Sequence, residues 1–134
     1  MGSESGANKQ VVREYFESVA KGDGSALDCL SEDIVWWVPQ GSSLGGTYEG
    51  RDAVAELMQS GVGAYAPDVP FGIEIRQLVA ENEWVCAQIE LSAGTRDGRP
   101  YCNRYHFAFR VLGGRIVEVN EYVDTHYVHE MLGL

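Results

Sequence analysis

The second half of the chain most constrains the fold. From Phe71 onward, four segments rich in β-branched and aromatic residues follow one another: "FGIEIRQLVA", "EWVCAQIELSA", "PYCNRYHFAFRVL" and "RIVEVNEYVDTHYV". The turn signals "ENE", "TRDGRP" and "GG" separate them. Connections this short join antiparallel neighbours, so the spacing predicts a four-stranded meander. One apolar face of such a sheet has to be covered, and the first half supplies helices for it.

Segment 8–21 sets Val12, Tyr15, Phe16 and Val19 at helical spacing, with Asn8 as the expected N-cap. "GDGS" ends that helix, and Ser25 is placed to cap a short second one, "ALDCL". "DIVWWVP" (33–39) reads as a strand stopped by Pro39, and "QGSSLGGTYEG" reads as a loop. Segment 51–60 reads as a third helix burying Val54, Leu57 and Met58. Helices first and a meander afterwards indicate an α+β fold, with a curved, antiparallel-rich sheet packed on three N-terminal-half helices around a pocket.

A chain of 134 residues without a long linker is expected to form one domain, residues 8–134. It would be preceded by a disordered or tag-derived tail over 1–7, "MGSESGA". Twenty acidic residues against ten basic give a net charge of −10, which opposes nucleic acid and anionic membrane surfaces as partners. No apolar run approaches the roughly 20 residues of a membrane span. Cys29, Cys86 and Cys102 are odd in number and widely spaced. They read as small buried hydrophobes of a cytoplasmic protein, not as a disulfide framework.

One residue breaks the pattern of the last strand. In "VEVNEYVDTHY", Val117, Val119 and Val123 alternate with polar residues, and Glu121 stands in the row of valines. The turn "VLGGR" allows a two-residue Gly113-Gly114 loop or a three-residue loop with Gly114 at a left-handed bulge. The first puts Phe107 opposite Asn120 and Phe109 opposite Glu118, mixing the faces. The second pairs Phe109 with Val117, Phe107 with Val119, Tyr105 with Glu121 and Asn103 with Val123, so the buried face selects it.

The inner face then holds Phe107, Phe109, Val117, Val119 and Val123, with Asn103, Tyr105 and Glu121 towards one end. The outer face takes Arg104, His106, Arg110, Glu118, Asn120, Tyr122 and Asp124, with Asp124 expected to pair with Arg104. No Lys or Arg shares the inner face, so Glu121 should have a raised pKa and Tyr105 as its hydrogen-bonding neighbour. That is the property of a general acid/base near neutral pH.

Helix "YFESVAKGD", strand "EDIVWWVP", a "G…Y-x-G" loop and "NRYHFAFRVLGGRIVEVNEYVDT" together resemble the nuclear transport factor 2-like superfamily, within it the SnoaL-like group. That group holds polyketide cyclases and ketosteroid-isomerase-related proteins. The resemblance implies a cone of curved sheet closed by three helices around a deep pocket, and a homodimer through the sheet's outer face. It also implies an acid/base at the position of Glu121, a pocket polar residue at Tyr105, and a tyrosine donor at Tyr15. The isomerase's base would fall at Val38, and the Arg and Asp of limonene epoxide hydrolase at Ile89 and Leu91, so both partner sets are missing.

The expected catalytic residues are therefore Glu121, Tyr105 and Tyr15. The expected substrate-binding wall is Asn103, Trp36, Phe107, Val38, Val119 and Ile89. The expected ligand is a small hydrophobic, carbonyl-containing molecule, turned over by cyclase or isomerase chemistry without a cofactor or metal. A non-catalytic binding module is the alternative, and an epoxide hydrolase or dehydratase a further one. His126, His129 and Glu130 have loose spacing for a metal site and lack a further ligand. His106 would act in catalysis only if the register differed.

Overall fold

The computed structural model describes residues 2–134. It consists of α1 (Gly2–Lys21), a 3-10 turn (Ser25–Cys29), β1 (Leu30–Val38), β2 (Gly46–Glu49) and α2 (Arg51–Val62). These are followed by β3 (Gly72–Glu81), β4 (Trp84–Gly94), β5 (Pro100–Leu112), β6 (Arg115–Val123) and α3 (Thr125–Leu132). Six strands form one sheet in the order β2-β1-β6-β5-β4-β3, antiparallel at every joint except β1–β6, which is parallel. The fold is α+β, an open curled sheet with helices over its concave face.

Alternation builds that face. Along β5, Tyr101, Asn103, Tyr105, Phe107, Phe109 and Val111 point inward and their neighbours outward. β4 contributes Val85, Ala87 and Ile89 to the same layer. On α1, Val12, Tyr15 and Phe16 are buried and Val19 packs beside them, as the helical spacing demands. Phe16 meets Phe107 at 5.6 Å and Phe109 at 5.6 Å between ring centroids, locking helix to sheet. Each such fully buried side chain contributes about 1.5–3 kcal/mol.

Several boundaries differ from expectation. α1 begins at Gly2, so residues 2–7 extend the helix, and Met1 lies outside the described residues. Asn8 is inside that helix and does not cap it; its side-chain amide donates to the Asn82 carbonyl at 3.3 Å, tying α1 to the β3–β4 turn. The second helix is a 3-10 turn entered through Gly24 in a left-handed conformation, not through a Ser25 cap. Inside the expected loop 40–50 lies β2, which pairs with β1 and is too short to announce itself by alternation. The last strand stops at Val123: Asp124 accepts the Tyr127 backbone N–H at 3.1 Å and starts α3 where a strand had been expected to continue. Asp124 therefore does not pair with Arg104, which reaches Glu90 instead. Nor are the three cysteines fully buried: Cys29 and Cys86 are half-buried and Cys102 is exposed.

The final hairpin resolves the register question in a third way. Leu112 pairs with Arg115, so the turn is the two-residue Gly113-Gly114 loop, both glycines having positive φ (58° and 78°). A bulge then intervenes: Val111 pairs with Ile116 and Arg110 with Glu118, leaving Val117 as the extra residue. Beyond it, Phe109 faces Val119, Phe107 faces Glu121 and Tyr105 faces Val123. The bulge restores the parity that the tight turn alone would have reversed, so Val119, Glu121 and Val123 all reach the inner side. Ile116, not Val117, fills the core at the turn end. A second bulge at Arg76 separates Ile73 and Ile75 from Leu78 and Ala80 on β3, and it bends the free end of the sheet around the helices.

Candidate functional site

The curled sheet and the helices enclose a cavity of about 650 Å³, within the usual range of small-molecule sites. Its floor is sheet: Trp36 and Val38 from β1, Ile89 from β4, Tyr105 and Phe107 from β5, Glu121 and Val123 from β6. Its roof is helix: Tyr15, Phe16 and Val19 from α1, and Leu57 and Met58 from α2. Val128 and Leu132 of α3 close one side. Most of these groups are hydrocarbon or aromatic, so the few polar ones stand out.

Glu121 is the carboxylate among them. Its Oε1 accepts the Trp36 indole N–H at 3.0 Å, and the carboxylate makes no ion pair among the described residues. Burial in this apolar wall pushes its pKa from an ordinary 4.5 up to about 7, partly countered by the indole donor. Near neutral pH the group is thus divided between acid and conjugate base. The expected neighbour, Tyr105, is not its hydrogen-bond partner. Trp36 takes that role because the parallel β1–β6 joint sets Trp36 opposite Val119, one inward position from Glu121.

Tyr105 belongs to a second polar group. Its hydroxyl lies 2.8 Å from that of Tyr101 and 3.4 Å from that of Tyr65, and Asn103 Nδ2 donates to the Tyr101 oxygen at 3.1 Å. Burial raises the pKa of all three phenols, so each remains a donor. The Tyr15 pKa is raised as well, first by burial and then by the nearby Glu121 carboxylate.

The structure brings Glu121, Tyr105, Tyr15, Trp36, Phe107, Val38 and Ile89 to one cavity. Asn103 stands behind it, 8% exposed, holding Tyr101 and accepting the Arg104 backbone N–H at 2.9 Å. Val119 is fully buried core beneath the lining. Neither of these two expected wall residues lines the cavity. Tyr65, outside the strand pattern in the loop after α2, was not singled out from the sequence. Its only local signal is a lone aromatic in "VGAYAPD". The residues of α3 were missed with the helix itself.

On the opposite face of the sheet, Trp37 packs on Tyr122 at 5.0 Å, and a shallower hollow of about 450 Å³ includes Gln88, Arg104, His106 and Tyr122. His106 is thus away from Glu121. His126 meets Glu130 at 3.0 Å along α3, and no group of three metal-ligating side chains occurs among the described residues. No helix among them is long and apolar enough to cross a membrane.

A family model for the SnoaL-like domain matches residues 12–119. No protein of curated function matches the chain. Among solved structures, an NTF2-like protein of unknown function from Burkholderia pseudomallei is 23% identical, with TM-score 0.84 over 96% of this chain and 98% of that one. An NTF2-like protein from Burkholderia xenovorans is 25% identical, with TM-score 0.74 over 96% and 97%. TerC, co-crystallised with polyporic acid, is 16% identical, with TM-score 0.84 over 96% and 99%.

Proposed function

The chain belongs to the SnoaL-like domain family, and on that premise we propose that it is a cofactor-independent acid/base enzyme of cyclase or isomerase type. Its substrate would be a small hydrophobic molecule carrying a carbonyl group. The observation that carries this reading is Glu121: a carboxylate in an apolar cavity wall, held by one neutral donor and poised at about 7. The similarity of the fold to TerC, co-crystallised with polyporic acid, is compatible with a small-molecule occupant.

The chemistry follows from the arrangement. The Trp36 N–H occupies Oε1 and orients the carboxylate, leaving Oε2 to take a proton from a carbon next to a carbonyl. The negative charge that develops on the carbonyl oxygen needs neutral donors in a dry site, and Tyr105 and Tyr15 are such donors on the cavity wall. Glu121, once protonated, returns the proton at another atom, which is isomerisation, or after ring closure, which is cyclisation.

The test is exchange of α-protons in heavy water, followed by NMR across a panel of polycyclic and terpenoid ketones. The expected result is exchange that rises with pH around a midpoint of about 7. Glu121→Gln keeps the Trp36 contact and should abolish exchange while retaining binding. Tight binding by the wild type without exchange or turnover would leave a carrier or sensor module as the function.

A further inference from the structure

The hydroxyl cluster around Tyr105 is anchored at one end by Asn103. Asn103 Oδ1 accepts the Arg104 backbone N–H at 2.9 Å, and only a carbonyl oxygen can do so, which fixes the amide's orientation. Its Nδ2 must then donate to the Tyr101 oxygen at 3.1 Å. The Tyr101 and Tyr105 oxygens lie 2.8 Å apart, and either hydroxyl can donate to the other. When Tyr101 is the donor, the Tyr105 proton is free to turn towards Tyr65 or the cavity.

The remaining contact, Tyr65 to Tyr105, is 3.4 Å. Hydroxyl pairs bond best at about 2.7–2.8 Å, so this one is weakly engaged. Tyr65 and Tyr105 line the cavity, whereas Tyr101 and Asn103 lie behind it and do not. Two cavity-facing hydroxyls side by side form a fork that an incoming oxygen acceptor can complete by drawing the Tyr105 proton towards itself, with Tyr101 then donating to Tyr105 from behind.

We propose that Tyr65 and Tyr105 form a paired-donor site for one carbonyl or phenolic oxygen of the ligand, with Tyr101 and Asn103 as positioning residues that aim the Tyr105 proton. The proposal rests on the cavity being the substrate site, as read above, and it specifies that substrate as one presenting an oxygen acceptor at the end of a hydrophobic body. Such an acceptor takes both hydroxyls without displacing the Tyr101–Tyr105 bond, and the remaining lining receives the hydrocarbon.

The probes are 2-acetylnaphthalene and 2-isopropenylnaphthalene, which have the same shape and differ by oxygen against methylene. The wild type should prefer the ketone by about three- to tenfold for each hydrogen bond gained, and its carbonyl stretch should fall below the value in cyclohexane. Tyr65→Phe with Tyr105→Phe should remove the preference and the shift, while binding the alkene within about twofold of wild type. Tyr101→Phe should leave alkene affinity unchanged and shrink the carbonyl shift, which a merely structural loss would not do. Equal binding of the two probes by the wild type, binding of neither, or an unshifted carbonyl would overturn the proposal. None of these readouts depends on proton exchange by Glu121, so the donor fork and the acid/base reading can fail separately.

Discussion

Removing the Glu121 carboxylate from water penalises its ionised form, and that penalty has a sign in stability as well as in reactivity. Below about 4.5 both folded and unfolded chains hold the proton, and this favourable difference in proton binding is fully present. Between about 4.5 and about 7 the unfolded chain ionises while the native one remains protonated, so stability falls as pH rises and the loss is complete above about 7. A shift of this size corresponds to something on the order of 3 kcal/mol. Glu121→Gln, uncharged in both states, should therefore be more stable than the wild type at pH 8 and close to it at pH 4, as read by denaturant midpoints at each pH. A constant difference across that range would mean that the carboxylate is not desolvated. The anomaly itself was legible in the sequence, since period-two alternation assigns each residue a face. Its partner was not, because Trp36 lies 85 residues away and reaches Glu121 only through the β1–β6 joint.

At the level of elements, α3 connects local capping to the shape of the cavity. Asp124 supplies the side-chain acceptor for the first turn, and Val128 and Leu132 line the cavity beyond it. Asp124→Ala should cost about 1 kcal/mol. It should raise amide hydrogen exchange in residues 125–132 more than in β5, which mass spectrometry can read. The cap signal was present in "VDTHY", but the β-branched and aromatic residues around it also suit a strand, and in the structure the aspartate decides between them. The Gly113-Gly114 turn gives a complementary lesson. Face assignment followed from the apolar rows, yet the pairing was displaced because a two-residue turn plus a bulge at Val117 gives the same parity as a longer turn without one. Gly114→Val, forced into φ near 78°, should destabilise by about 1–2 kcal/mol, measured by thermal unfolding.

For the whole molecule, the convex side of the sheet is the proposed site of a homodimer. Trp37 and Tyr122 stack there, and Tyr122 is 52% exposed. Tyr122→Arg would set a charge in the centre of such an interface, and native mass spectrometry should then show a monomer where the wild type gives a dimer. A wild-type monomer at micromolar concentration would remove the proposal. The acidic balance of −10 acts at the same scale, as a net charge that opposes the approach of polyanions.

The sequence by itself determined the class of fold, the meander, the inner row of β5, the inner row of β6 from Val119 onward, and the exceptional place of Glu121. All of these rest on periodicities and turn residues that operate over a few neighbours. The tertiary structure alone decided that β1 lies parallel to β6, that Trp36 is the donor to Glu121, and that Tyr65 joins Tyr105 at the cavity. The physical reason is range. Desolvation and hydrogen-bond partnership sum over groups brought from distant segments, and no local pattern records which of them will meet.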